Sequence, residues 1–157
     1  MTYYNEIAEG YEELHKEEQL KKIEIISKNI RINKNDLLLD VGCGTGITTK
    51  PWKCKKIGID PAIRLLQKAS DGIYINAEAE HIPFKANSFD CVISITAIQN
   101  FNDIEKGLLE IKRVGKKRFV LSFLKKSNEG DEIKKLIEEM FDVKKVIEEE
   151  KDLIFII

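Results

Sequence analysis

The sequence predicts an α/β protein whose sheet is mostly parallel and covered by helices on both faces. Short apolar runs fit for buried strands alternate along the chain with segments in which apolar residues recur at helical spacing. One run, 37–41, leads directly into a turn with three glycines, at the sheet edge where parallel α/β proteins bind ligands. The polar segment 148–151 separates two apolar runs at the end of the chain, which predicts an antiparallel hairpin.

Strands are predicted from apolar or alternating runs bounded by polar and turn residues. They are expected at 37–41, 55–59, 73–75, 89–95, 118–124, 143–147 and 153–157. The run 89–95 is almost continuously apolar, as expected for a strand that is covered on both faces.

Helices are predicted where apolar residues recur every three or four positions. They are expected at 3–30, at 61–69, after a cap at Asn102 or Asp103, and at 131–141. The first is one helix or two separated near Gly10, with Leu20 on its core face. The helix after the glycine turn must be short, because Pro51 cannot lie inside it.

Composition restricts the class of protein. The 157 residues fit a single domain, 1–157, with a helical cover at about 1–30 and a core at about 36–157. A net charge of −1 argues against a chain-wide polyanion-binding role. The three cysteines fit no zinc or thioredoxin spacing, so we expect reduced thiols in a cytoplasmic protein without a metal site. We expect neither a secretory signal nor a membrane span.

The glycine turn and one acid form the candidate binding site. Gly42, Gly44 and Gly46 either let a ligand approach bare backbone or only make a structural turn. Asp60 ends the second strand a little under about 20 residues later, where nucleotide-binding folds place the acid that accepts ribose hydroxyls. Asp60 could also cap the following helix, and the two roles are compatible.

Asp40 distinguishes between the possible nucleotides. It lies two residues before Gly42, so its carboxylate would repel a pyrophosphate at the turn. The same carboxylate would attract an ammonium or sulfonium group. This position therefore favours S-adenosylmethionine (SAM) over a nicotinamide dinucleotide.

The motif segments are Leu37–Gly46, Gly58–Pro61, Glu78–Phe84 with Asn87–Asp90, Leu109–Val114 and Tyr3–Tyr11. Together they resemble the motifs of class I SAM-dependent methyltransferases, particularly the branch of the ubiquinone/menaquinone-biosynthesis and wobble-uridine tRNA enzymes. The resemblance implies a Rossmann-like three-layer sandwich. Its seven-stranded sheet would be mostly parallel, with an antiparallel C-terminal hairpin strand. It also implies a methyltransferase that uses SAM.

On the adenosine side, the resemblance implies that Asp60 accepts the ribose hydroxyls and that Pro61 or Ala62 packs near adenine. Glu78, where the family usually has Asp, would serve the adenine amino group together with Ala79. The three glycines would let backbone approach the ribose and methionine parts of SAM, and the small Cys43 lies within that turn.

On the methionine side, the resemblance implies that Asp40 engages the amino group directly or through water. Ser94 and Ile95 would line the methionine chain, and Tyr11 would lie near the sulfonium. No catalytic side chain is predicted, because methyl transfer requires mainly alignment of the reacting atoms.

The methyl acceptor stays open at this stage. Relatives commonly carry insertions after the fifth strand, and this chain lacks them, so the acceptor site is open, completed by a partner chain or suited to a large substrate. The acceptor is a small molecule, or a tRNA or protein reached with a small activating subunit. Alternatives are a non-catalytic SAM-binding subunit and a nicotinamide-binding domain. A basic run either contacts RNA phosphates or forms a solvated helix end: Lys112, Arg113, Lys116, Lys117 and Arg118.

Overall fold

The computed structural model describes the backbone of residues 2–157 and the side chains of residue 10 and residues 12–157. Its strands are β1 (Leu37–Val41), β2 (Lys55–Asp60), β3 (Ile73–Asn76), β4 (Phe89–Ser94), β5 (Gly115–Leu124), β6 (Lys145–Glu148) and β7 (Asp152–Ile156). Its helices are α1 (Thr2–Ser27), α2 (Ile63–Leu66), α3 (Ile104–Val114) and α4 (Gly130–Met140). Within the described residues, no helix is long and apolar enough to cross a membrane.

The seven strands of the described chain form one sheet in the order β3-β2-β1-β4-β5-β7-β6. Strands β1 to β5 pair in parallel, whereas β7 is antiparallel to both β5 and β6. This arrangement confirms the predicted fold class. Because β1 lies between β2 and β4, the chain reverses its winding direction at the carboxyl end of β1, which is where open α/β sheets bind ligands.

Adjacent residues of β1 enter different cores, which explains why Leu37, Leu38 and Leu39 follow one another without alternation. Leu39 packs in the larger core with α3 and α4, whereas Leu38 packs on the opposite face. There α1 supplies Ile23 and Ile26, and Trp52 packs beside them. The sheet is therefore covered on both faces, as a three-layer sandwich requires.

Helical structure near the glycine turn is shorter than the sequence predicts. Residues 46–50 form turns rather than a helix, with Lys50 N donating to Gly46 O at 2.9 Å. The next predicted helix shrinks to the single turn of α2, in which Leu65 is exposed. Short connections here leave the carboxyl edge of the sheet open.

Helix α1 is continuous through Gly10, so the predicted alternative of two pieces is wrong. Its buried face is also rotated from the predicted one. Leu20 is exposed, whereas the polar Gln19 and Lys22 are buried with Ile23. The reason is a polar network beneath the helix, described below.

Candidate functional site

A cavity of about 680 Å³ opens at the carboxyl edge of the strands. Its walls come from α1, the glycine turn, the end of β2, the loop after β3 and the segment after β4. It brings together eight of the residues singled out in the sequence: Gly42, Cys43, Gly44, Asp60, Pro61, Glu78, Ala79 and Ile95. Asn100, which follows β4, also lines the cavity.

The glycines of the turn serve different purposes. All three have positive φ: 78° at Gly42, 54° at Gly44 and 82° at Gly46. A Cβ on Gly42 would lie 2.5 Å from the Cβ of Ala97, so packing excludes a side chain there. A Cβ on Gly44 would meet nothing nearer than Leu65 Cδ1 at 3.9 Å. Gly44 therefore leaves its backbone bare on the cavity side.

Gly46 and Ser94 are predicted site residues that do not line this cavity. Gly46 lies outside the 680 Å³ cavity, and a Cβ there would lie 2.8 Å from the hydroxyl of Tyr74. Ser94 is fully buried, and its hydroxyl donates to Val41 O at 2.8 Å. Gly46 instead lines an adjoining cavity of about 550 Å³, whereas Ser94 supports the turn from behind. The side chain of Tyr11 lies outside the described residues.

Asp60 connects the glycine turn to the end of β2. Its Oδ2 accepts from Gly44 N at 2.9 Å and its Oδ1 from Ala62 N at 2.8 Å. The second bond fixes the turn before α2 but does not cap the helix, because Ala62 is the N-cap residue of α2 and no side chain caps that helix. Each oxygen keeps a further lone pair, and the side chain still reaches the cavity although the residue is only 8% exposed. Asp60 can therefore both fix the turn and accept hydrogen bonds from a ligand.

Asp40 is held beneath the turn and does not line the cavity. The hydroxyls of Thr48 and Thr49 both donate to its Oδ2 at 2.7 Å. Its Oδ1 is buried and has no hydrogen-bond partner among the described residues. Burial raises the pKa of Asp40 to about 6, even though the two threonine hydroxyls lower it.

The loop after β3 is anchored by helix α3. Arg113 donates to Ile82 O at 3.0 Å and to Phe84 O at 2.8 Å, and it also pairs with Glu110. Glu110 in turn accepts from Ile82 N at 3.0 Å, and the bond from Arg113 lowers the pKa of Glu110. These contacts hold the segment that carries Glu78 and Ala79 at the cavity.

The basic run is partly used inside the molecule. Besides Arg113, Lys116 pairs with Asp90 at 3.1 Å and Arg118 with Asp36 at 2.9 Å. Only Lys112 and Lys117 of the run are exposed without an ion pair within the part of the chain that the structure describes. These contacts favour structural roles over an RNA-binding patch.

A buried polar network at the cavity wall was not predicted. Lys22 Nζ lies 3.1 Å from Asp152 Oδ1, 3.0 Å from Thr96 Oγ1 and 2.9 Å from Gln19 Oε1. Oδ2 of Asp152 accepts from the hydroxyls of Thr96 at 2.6 Å and Ser122 at 2.8 Å. Gln19 and Thr96 also line the cavity. The network therefore joins α1 to β5, β7 and the segment after β4.

Comparison with known proteins gives consistent matches. A family described as a methyltransferase domain matches residues 39–123. An uncharacterised protein of Methanocaldococcus jannaschii is 33% identical over 117 residues, which are 71% of this chain and 45% of that protein. The chain thus spans about half the length of this curated relative.

Solved structures share the fold. A SAM-dependent methyltransferase from Aquifex aeolicus has a TM-score of 0.73 at 20% identity, over 85% of this chain and 87% of that one. The complex between the Haloferax volcanii Trm112 methyltransferase activator and a putative methyltransferase has a TM-score of 0.67 at 20% identity, over 74% of this chain and 57% of that one. The family match covers more than half of the residues, and the glycine turn and the sheet order agree with it. The chain therefore belongs to the class I SAM-dependent methyltransferase family.

Proposed function

We propose that this chain binds SAM in the 680 Å³ cavity and transfers its methyl group to an acceptor. The observation that carries the proposal is the pairing of bare backbone at Gly44 with the Asp60 carboxylate beside it. A nucleoside can approach that backbone closely, and its ribose hydroxyls can donate to the free lone pairs of Asp60.

The remaining cavity residues suit the parts of such a ligand. Pro61 offers an apolar surface for adenine, and Glu78 with Ala79 offers acceptor and backbone groups for its polar edge. Ile95 borders the methionine side. The buried Asp40, with an unpartnered Oδ1 and a pKa of about 6, provides negative charge behind the turn for a cationic ligand.

The residues act by binding and orientation rather than by covalent chemistry. When bound, SAM would supply an electrophilic methyl group, whose bond to the sulfonium sulfur would break as the bond to the acceptor forms, with S-adenosylhomocysteine as the leaving group. Burial raises the pKa of the Cys43 thiol, so this cavity residue stays protonated and is a poor nucleophile. The contribution of the chain is therefore to fix the donor against the acceptor and to exclude water.

Calorimetry with S-adenosylhomocysteine tests the cofactor assignment. We expect Asp60→Ala to weaken binding by at least about tenfold, because loss of hydrogen bonds to a charged acceptor costs about 1.5–3 kcal/mol. Asp142→Ala removes an exposed carboxylate far from the cavity in sequence and serves as the matched control. Equal affinity of the Asp60 variant and the wild type, or tighter binding of NAD than of S-adenosylhomocysteine, would refute the proposal.

A second candidate function is a subunit that binds SAM but requires a partner for methyl transfer to a tRNA or protein. The Haloferax neighbour occurs in a complex with a methyltransferase activator. In this chain the edge strand β3 and the adjacent α2 expose the apolar Ile73, Ile63 and Leu65. Tritium transfer from labelled SAM into RNA, protein and metabolite fractions distinguishes the two functions. Intact binding without transfer would favour the second.

A further inference from the structure

The second cavity, of about 550 Å³, lies directly beside the first. The two share four wall residues: Lys16, Thr45, Ile47 and Lys68. The other walls of the second cavity come from α1, the turns of residues 46–51 and the segment 70–71. Its volume is within the range of small-molecule sites, and the proposed function makes no use of it.

The two cavities differ in the sign of their charge. Besides the two shared lysines, the first has five acids in its walls: Glu12, Glu13, Asp60, Glu78 and Glu80. The second has three lysines, Lys16, Lys50 and Lys68, and a single acid, Asp71. The first cavity therefore suits a cationic nucleoside, whereas the second attracts an anion.

A largely buried lysine offsets Asp71 and fixes two walls of the second cavity. Lys56 Nζ lies 3.6 Å from Asp71 Oδ2, and the side chain of Lys56 is only 8% exposed. The same ammonium group donates to Lys50 O at 2.8 Å and to Trp52 O at 2.6 Å. Lys56 thus joins the turn that carries Lys50 to the segment that carries Asp71, so both walls are in place before a ligand binds.

The second cavity also has donors that a ligand can use. Lys50 forms no ion pair with any residue whose side chain the structure describes. Lys68 pairs with Glu12 at 3.2 Å, but the two side chains are 60% and 67% exposed, so this pair is weak and a ligand can replace it. The hydroxyls of Thr45 and Ser70 have no hydrogen-bond partner among the described residues.

Ammonium groups and hydroxyls together suit a phosphate group, which accepts several hydrogen bonds. A terminal phosphate carries nearly two negative charges at neutral pH, in keeping with three lysines around one space. We propose that the second cavity binds the phosphate of a small phosphorylated methyl acceptor, with Lys50 and Lys68 as its main ligands and Lys56 as their positioning residue. The inference rests on the proposed function, because the acceptor must reach SAM in the first cavity past the shared wall.

Titration with inorganic phosphate tests the site itself. Backbone amide signals are followed by NMR at constant ionic strength, for the free protein and for the protein saturated with S-adenosylhomocysteine. We expect saturable shifts at 45–50 and 68–71. Lys50→Met should weaken phosphate binding by about fivefold, whereas Lys50→Arg should retain it.

The matched control is Lys53→Met, since Lys53 is an exposed lysine that lies near Lys50 in sequence but outside the second cavity. Affinity for S-adenosylhomocysteine, measured by calorimetry, should be the same in all of these variants. Unchanged phosphate binding in Lys50→Met, an equal loss in Lys53→Met, or weaker S-adenosylhomocysteine binding in Lys50→Met would overturn the assignment.

Methyl transfer from tritium-labelled SAM tests the class of acceptor. We expect label to enter a metabolite fraction, and treatment of that fraction with phosphatase beforehand to abolish the transfer. Transfer that survives phosphatase, or transfer into RNA that Lys50→Met weakens, would overturn a small phosphorylated acceptor. A wild-type protein that does not bind S-adenosylhomocysteine would overturn the proposed function instead, and the phosphate titration of the free protein distinguishes the two failures.

Discussion

Lys22→Met tests whether the buried ion pair holds α1 on the sheet. Lys22 and Asp152 are 1% and 0% exposed in their side chains, and their charged atoms lie 3.1 Å apart. Methionine keeps most of the aliphatic volume of lysine and removes the charge. The substitution therefore measures the electrostatic part of the contact rather than its packing.

The expected loss follows from what remains around Asp152. Its Oδ2 keeps the hydroxyls of Thr96 and Ser122, whereas Oδ1 loses the ammonium of Lys22. Removing one partner of a buried pair costs about 3–5 kcal/mol, because an uncompensated charge stays in the interior. The two retained hydroxyl bonds place the expected loss near the lower limit, at about 3 kcal/mol.

Urea unfolding followed by fluorescence of Trp52, the single tryptophan, gives the free energy of unfolding. Lys28→Met is the matched control, because Lys28 pairs with Glu24 on the same helix while 71% and 68% exposed. We expect that control to lose at most about 0.5 kcal/mol. Adding Asp152→Asn to Lys22→Met should restore part of the loss by removing the buried charge. A loss below about 1 kcal/mol for Lys22→Met would refute the reasoning.

Two further predictions concern the glycine turn. In urea unfolding, Gly42→Ala should destabilise the protein by about 1–3 kcal/mol, because φ is +78° and the new Cβ would lie 2.5 Å from that of Ala97. The control Gly10→Ala lies within α1 and its Cβ would meet nothing within 4 Å, so it should instead stabilise the protein by about 0.5–1 kcal/mol. Equal effects of the two substitutions would contradict the steric argument. Since the pKa of Asp40 rises on folding from 3.8 to about 6, the folded state binds more protons in this window, and stability falls as pH rises through it by about 3 kcal/mol. Unfolding at pH 4 and pH 7 should show most of that fall in the wild type relative to Asp40→Asn, and parallel pH profiles would contradict it.

The parts of the site predicted from sequence are those set by local residues. The first strand has the predicted bounds, Leu37–Val41, because its apolar start and the glycines that follow Val41 define its two ends. The turn follows from the same residues, since positive φ at Gly42, Gly44 and Gly46 requires glycine or strain. Neither feature depends on contacts with distant parts of the chain.

Other features depend on residues far apart and could not be assigned from local patterns. A helix after the glycines was expected, yet Thr48 and Thr49 turn their hydroxyls onto Asp40, and only turns form. The buried face of α1 was assigned from apolar spacing, which cannot count a lysine as a core residue. Lys22 is buried only because Asp152, 130 positions later, lies beneath it. The one local signal was that Lys22 shares the helical spacing of the buried isoleucines.

A bound ligand would affect the two acids of the site, Asp60 and Asp40, differently. Asp60 already accepts from two backbone N–H groups, which fix the orientation of its side chain before any ligand binds. Asp40 has only two hydroxyl donors on one oxygen, and burial raises its pKa to about 6, so its ionised form is less stable than that of an exposed carboxylate. A cation bound beyond the turn would favour the ionised form of Asp40, whereas a pyrophosphate would oppose it. The electrostatics of the turn therefore argue for a cationic nucleoside, on grounds separate from the family resemblance.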